Sequence, residues 1–99
     1  MKLLMSQKIR EKLRDAHGVS EKEVEQCFLN REGPFLRDLR AKNLTSPTTQ
    51  WFIADTNKGR ALKVCFIFRP DSKTFELKTA YEPNANEREH YEDRRDQKD

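Results

Sequence analysis

Along the first third of the chain, apolar residues return at helical intervals. Between Ser6 and Ala16, Ile9, Leu13 and Ala16 are spaced by four and three with charges between them, which is the period of an amphipathic helix. His17 and Gly18 end it, because glycine accepts the left-handed conformation of a helix stop. Ser20 followed by Glu23 has the spacing of a capping box. A second helix is therefore predicted through about Asn30, with Val24, Cys27 and Phe28 as its buried stripe. Joined by His17, Gly18 and Val19, the two helices should pack as a corner on a sheet.

Gly33 and Pro34 break the helical period. Phe35 to Asp38 is a candidate short strand. A polar loop from Arg40 to Thr49 follows and is expected to be the most mobile part. From Gln50 the residues turn aromatic and β-branched: Trp51, Phe52 and Ile53, a turn at Asn57, Lys58 and Gly59, then Leu62 to Phe68. This reads as a hairpin. A turn at Pro70 to Ser72 leads into Thr74 to Tyr81, where simple alternation places Phe75, Leu77, Thr79 and Tyr81 on one face and Glu76, Lys78 and Ala80 on the other. Asn84 and Glu87 repeat the cap spacing ahead of a polar helix reaching about Tyr91. The prediction is an α+β fold: two N-terminal helices, a twisted antiparallel sheet of three to four strands, and a short C-terminal helix. One domain is expected over residues 1–93, with 94–99 a charged tail that frays.

Composition narrows the picture. A chain of 99 residues holds one core. With 34% apolar and 37% charged residues that core is small, so a homodimer or a partner that completes it stays open. Twenty Lys and Arg against 17 Asp and Glu give a net charge of +3, which suits an anionic partner and equally a mixed, solvated surface. Cys27 and Cys65 lie in apolar patterns far apart, as small buried hydrophobes of a reducing compartment do. Leu3, Leu4 and Met5 are too short an apolar run for a signal peptide or a membrane span. A cytoplasmic protein is expected.

Candidate chemistry is sparse. His17 and His90 are the only histidines, no carboxylates bracket either at ligand spacing, and the three glycines are scattered, so neither a metal site nor a phosphate loop is indicated and no cofactor is expected. What remains is His17 with Arg60, Lys63, Lys78, Thr79 and Tyr81. These side-chain types suffice for metal-free RNA cleavage, in which the ribose 2′-hydroxyl attacks its own phosphate and the protein moves two protons and steadies phosphoryl charge. Each also has a plainer reading: a helix-end imidazole, a turn arginine, a solvated lysine, strand formers. For Trp51 and Phe52 a place in the core is favoured over a base-stacking platform.

A resemblance adds to this reading. His17-Gly18-Val19-Ser20 before an acidic helix ending in Phe28, then Gly59-Arg60-Ala61-Leu62-Lys63-Val64-Cys65-Phe66, and Lys78-Thr79-Ala80-Tyr81 with Glu87, Arg88 and Tyr91 behind, resemble the BrnT-type toxins. These are small ribonucleases of bacterial type II toxin–antitoxin pairs, with a RelE-like fold. Where that family carries Ser-Ala-Arg, this chain reads Thr79-Ala80-Tyr81. The resemblance implies a basic cleft where the strand ends meet the helical corner, with His17 or Tyr81 for proton transfer, Arg60, Lys63 and Lys78 for phosphate charge, and Thr79 for orientation. It also implies RNA as substrate and an antitoxin protein as partner. A catalytically silent, phage- or plasmid-borne binding protein that uses the same basic face is the competing expectation.

Overall fold

The computed structural model describes residues 1–40 and 47–95. The chain runs β1 (Lys2–Leu4), α1 (Gln7–Lys12), a π-helical turn (Leu13–His17), α2 (Glu21–Asn30), β2 (Leu36–Arg37), β3 (Thr49–Asp55), β4 (Ala61–Arg69), β5 (Thr74–Tyr81) and α3 (Ala85–Arg95). The strands form one sheet in the order β1-β5-β4-β3-β2. Every pairing is antiparallel except β1 with β5.

Local signals build the helical corner. The Ser6 hydroxyl accepts from the Ile9 amide, and Gly18 ends the helix at φ 60°, a conformation in which a side chain is strained. At the start of α2 the reciprocal bonds of Ser20 and Glu23 satisfy two helix-end donors. Leu13, Val19, Val24 and Cys27 are buried against the sheet face that carries Phe52, Leu62, Val64, Phe66, Leu77 and Ala80. The Phe28 ring meets those of Phe35, Phe52, Phe66 and Phe75 at centroid separations of 4.8 to 6.4 Å. This aromatic cluster is how a chain poor in apolar residues fills its core.

Helix α3 packs on the opposite face. Tyr91 is buried, lies 5.6 Å from the Trp51 ring, and donates its hydroxyl proton to the Pro34 carbonyl at 2.8 Å. Both faces of the sheet are thus covered. Cys27 and Cys65 are buried free thiols. No described helix is long and apolar enough to cross a membrane.

The structure departs from the expectations in several places. The sheet has five strands, because Lys2–Leu4 adds a parallel edge to β5; three residues are too few to show a period. A bulge interrupts the alternation along β5: Cys65 pairs with Thr79 and Phe66 with Leu77, so Lys78 has no partner across the ladder. One extra residue inverts every side chain beyond it. Thr79 and Tyr81 consequently share a face with Lys63 and Trp51, on the α3 side, while Ala80 joins the core with Phe75 and Leu77. Helix α3 extends past Tyr91 to Arg95, whose guanidinium bonds Glu32 at 2.8 Å. Most of the loop expected to be mobile, residues 41–46, and the last four tail residues, 96–99, lie outside the described residues.

Candidate functional site

Arg60 ties the helical corner to the hairpin. Gly59, at φ 82°, closes the β3–β4 turn and delivers Arg60 toward the end of the π-helical turn. There the guanidinium donates to the carbonyls of His17 and Gly18, both at 2.8 Å, and to Glu82 at 3.0 Å and Glu23 at 3.3 Å. The carbonyls left open at a helix end are thereby satisfied. His17 is anchored by its backbone, and its ring centroid lies 5.7 Å from that of Tyr81.

A second node joins α3 to the sheet. The capping pair at the start of α3 orients Glu87: its amide donates to Asn84 Oδ1 at 2.8 Å, and its Oε1 accepts from the Asn84 amide at 2.9 Å. The other oxygen, Oε2, accepts from Lys63 Nζ at 2.8 Å and from the Tyr81 hydroxyl at 2.9 Å. Lys63, only 8% exposed, also places its ammonium 4.5 Å from the Trp51 ring centroid. Burial is the largest single influence on Lys63 and would lower its pKa, but the bond to Glu87 together with the charges of Cys65, Tyr81 and Glu87 outweighs it and holds the amine above its ordinary value. Burial would likewise raise Glu87, and Lys63, the Asn84 amide and Tyr81 together hold it below. Tyr81 is pushed up, by burial first and by its bond to Glu87 second. Its hydroxyl therefore keeps its proton through the neutral range and is a donor rather than a base.

Between the π-helical turn and the bulged end of β5 opens a cavity of about 470 Å³. Thr49, Cys65, Thr79 and Tyr81 of three neighbouring strands line it, Cys65 and Thr79 directly opposite each other, together with Lys12, His17, Lys78, Asp38 and Arg40. Arg40 is matched to Asp38 through Nε at 3.1 Å and Nη2 at 2.7 Å. Lys12 and Lys78 carry no carboxylate partner among the described residues. The cavity therefore holds two cations without a carboxylate partner among the described residues, an imidazole and a neutral phenol.

Of the residues singled out in the sequence, His17, Lys78, Thr79 and Tyr81 share this cavity. Lys63 adjoins it behind Tyr81, with its amine 5.8 Å from that ring. Arg60 lines none of it: its guanidinium is taken up by the carbonyls of His17 and Gly18 and by Glu23 and Glu82, and so it anchors the backbone of His17 from outside the cavity. Sequence reasoning missed Lys12, which the π-helical turn Leu13–His17 brings to the same opening as His17, and the Asp38–Arg40 pair, which carries no motif. Glu87 entered only as a cap and as part of the resemblance, with no role in a site. Among the described residues no three His, Cys, Asp or Glu side chains gather as metal ligands would.

No family model, curated protein or solved structure matches the chain.

Proposed function

We propose that the protein is a metal-independent endoribonuclease whose reaction takes place in the cavity between the π-helical turn and the bulged end of β5. The observation that carries this reading is the convergence of His17, Tyr81, Lys12 and Lys78 on one opening. Imidazole is the side chain best suited to accept a proton near neutral pH. In the proposed reaction His17 removes the proton of the ribose 2′-hydroxyl, whose oxygen forms a bond to phosphorus while the bond from phosphorus to the 5′-oxygen breaks. The ammonium groups of Lys12 and Lys78 stabilise charge on the phosphoryl oxygens. Tyr81, which retains its proton, supplies it to the departing 5′-oxygen and regains one from solvent. Arg60 is a positioning residue that fixes the backbone of His17, and Thr79 orients the sugar. The BrnT-type resemblance supports the same class, and with it a toxin role, a cytoplasmic setting and an antitoxin that covers the cavity.

One observation favours a second reading. Tyr81 gives its one hydroxyl proton, and Lys63 one of its N–H donors, to Glu87, which suits a rigid basic face that binds without reacting. The two readings separate when purified protein is incubated with single-stranded RNA in EDTA. Cleavage should proceed and leave 2′,3′-cyclic phosphate ends, with no cut at a 2′-deoxy position. Intact RNA under the same conditions would leave the binding module as the function.

A further inference from the structure

The cavity continues into a second hollow, of about 760 Å³, on the α3 side of the sheet; Asp38 and Arg40 belong to the walls of both. Phe35, Leu36, Leu39 and Trp51 give this hollow an apolar base, and Arg37, His90 and Arg94 stand along its rim. Arg37 on β2 and Arg94 on α3 are exposed and carry no carboxylate partner among the described residues. His90 is exposed as well, yet its ring is stacked on that of the buried Trp51 at 5.8 Å and 27°. An aromatic plane already held in place loses little freedom on meeting a second ring. Two guanidinium groups without a carboxylate partner among the described residues stand beside it and match phosphates.

We propose that this hollow is a second nucleotide subsite, in which the strand leaving the cavity stacks a base on His90 and sets its phosphates against Arg37 and Arg94. This rests on the ribonuclease reading and narrows its substrate. A stack-and-phosphate site takes unpaired nucleotides, whose bases are free to splay, so the substrate is single-stranded RNA at least several nucleotides long. The charge of the rim excludes a cationic segment as occupant.

Trp51 is the only tryptophan, so its fluorescence reports occupancy of the hollow. Fully 2′-O-methylated RNA, which lacks the attacking hydroxyl, serves as the probe in two lengths, a dinucleotide and a pentanucleotide. The parent protein should bind the pentanucleotide at least tenfold more tightly. The double variant Arg37→Ala/Arg94→Ala should lose that advantage, keep its dinucleotide affinity and its melting temperature, and show a salt dependence shallower by about 1.4 in log–log slope for two lost single-strand phosphate contacts. Equal affinity for the two lengths, with RNA still cleaved, would overturn the subsite and leave the ribonuclease reading standing. Failure to bind either probe, together with failure to cleave RNA, would remove both. Tighter binding of a glutamate-rich peptide than of the pentanucleotide would assign the hollow to a protein partner and overturn the proposal.

Discussion

Replacing Glu87 by alanine should be among the most damaging single changes in the molecule, although Glu87 lies on the surface of a polar helix. One oxygen receives both the Lys63 ammonium and the Tyr81 hydroxyl, and the other holds the Asn84 amide. Removing one member of a fully buried ion pair costs about 3–5 kcal/mol. Here the Glu87 side chain is 20% exposed and that of Lys63 10%, and the lysine stem can swing its amine toward water, which reduces the loss to about 2 kcal/mol. The lost half of the capping pair adds about 0.5 to 1 kcal/mol. A total of about 3 kcal/mol in a domain of this size lowers Tm by about 12–24 °C. Urea unfolding followed through Trp51 measures it.

Titration gives the same node a pH signature. Glu87 is held below its ordinary carboxyl value of 4.5, so the stability it contributes is complete above that value and is lost as pH falls through the lower folded one. Lys63 and Tyr81 are held above 10.5 and 10.0, and their share is complete below those values and is lost as pH rises through the higher folded ones. The advantage of the parent over Glu87→Gln should thus be present at pH 7 and shrink toward pH 3. Adding Lys63→Met to Glu87→Gln should recover part of the loss, since no ammonium is then left unpaired. A Glu87→Ala variant within about 0.5 kcal/mol of the parent, the range of a neutral surface change, or a gap that ignores pH, would refute the assignment of this node.

Other expectations are more local. Arg60→Ala should cost about 2 kcal/mol, because it strands helix-end carbonyls, and Arg60→Lys should not restore it, since an ammonium lacks the planar fork; differential scanning calorimetry reads both. Gly33→Ala should destabilise by about 1–3 kcal/mol, because a Cβ there would lie 2.5 Å from the Tyr91 hydroxyl oxygen and 2.9 Å from the ring carbon bearing it; chemical denaturation of the variant checks it. Burial pushes the Cys27 thiol up to about 12 and the Cys65 thiol up to about 11, so iodoacetamide at pH 8 should leave both unmodified in the folded protein and alkylate both in urea, as intact mass would show.

Much of the fold was legible because its signals are local. The Gly18 stop, the Ser20–Glu23 box and the Gly59 turn each act within a few residues, and they locate the corner and the hairpin directly. What could not be read is what depends on distant pairing. The parallel partner of Lys2–Leu4 is Thr74–Glu76, and nothing in three residues announces it. The bulge at Lys78 is set by how β4 and β5 register, yet it decides which face Thr79 and Tyr81 occupy. Grouping His17, Lys78, Thr79 and Tyr81 was legible by residue type and resemblance. The work of Arg60 was not, because its acceptors are backbone carbonyls of residues 17 and 18, which no side-chain pattern encodes.

Lys78 offers the sharpest separation of chemistry from folding. It is exposed and unpaired across the ladder, so Lys78→Ala should leave Tm within the small range of a surface substitution. The decisive measurement is the rate of RNA cleavage in EDTA by parent and Lys78→Ala proteins prepared identically. A hundredfold or greater fall in rate with stability unchanged is the predicted result, in line with loss of one transition-state charge contact. Equal rates, or no cleavage by the parent, would contradict the claim that this cavity cuts RNA.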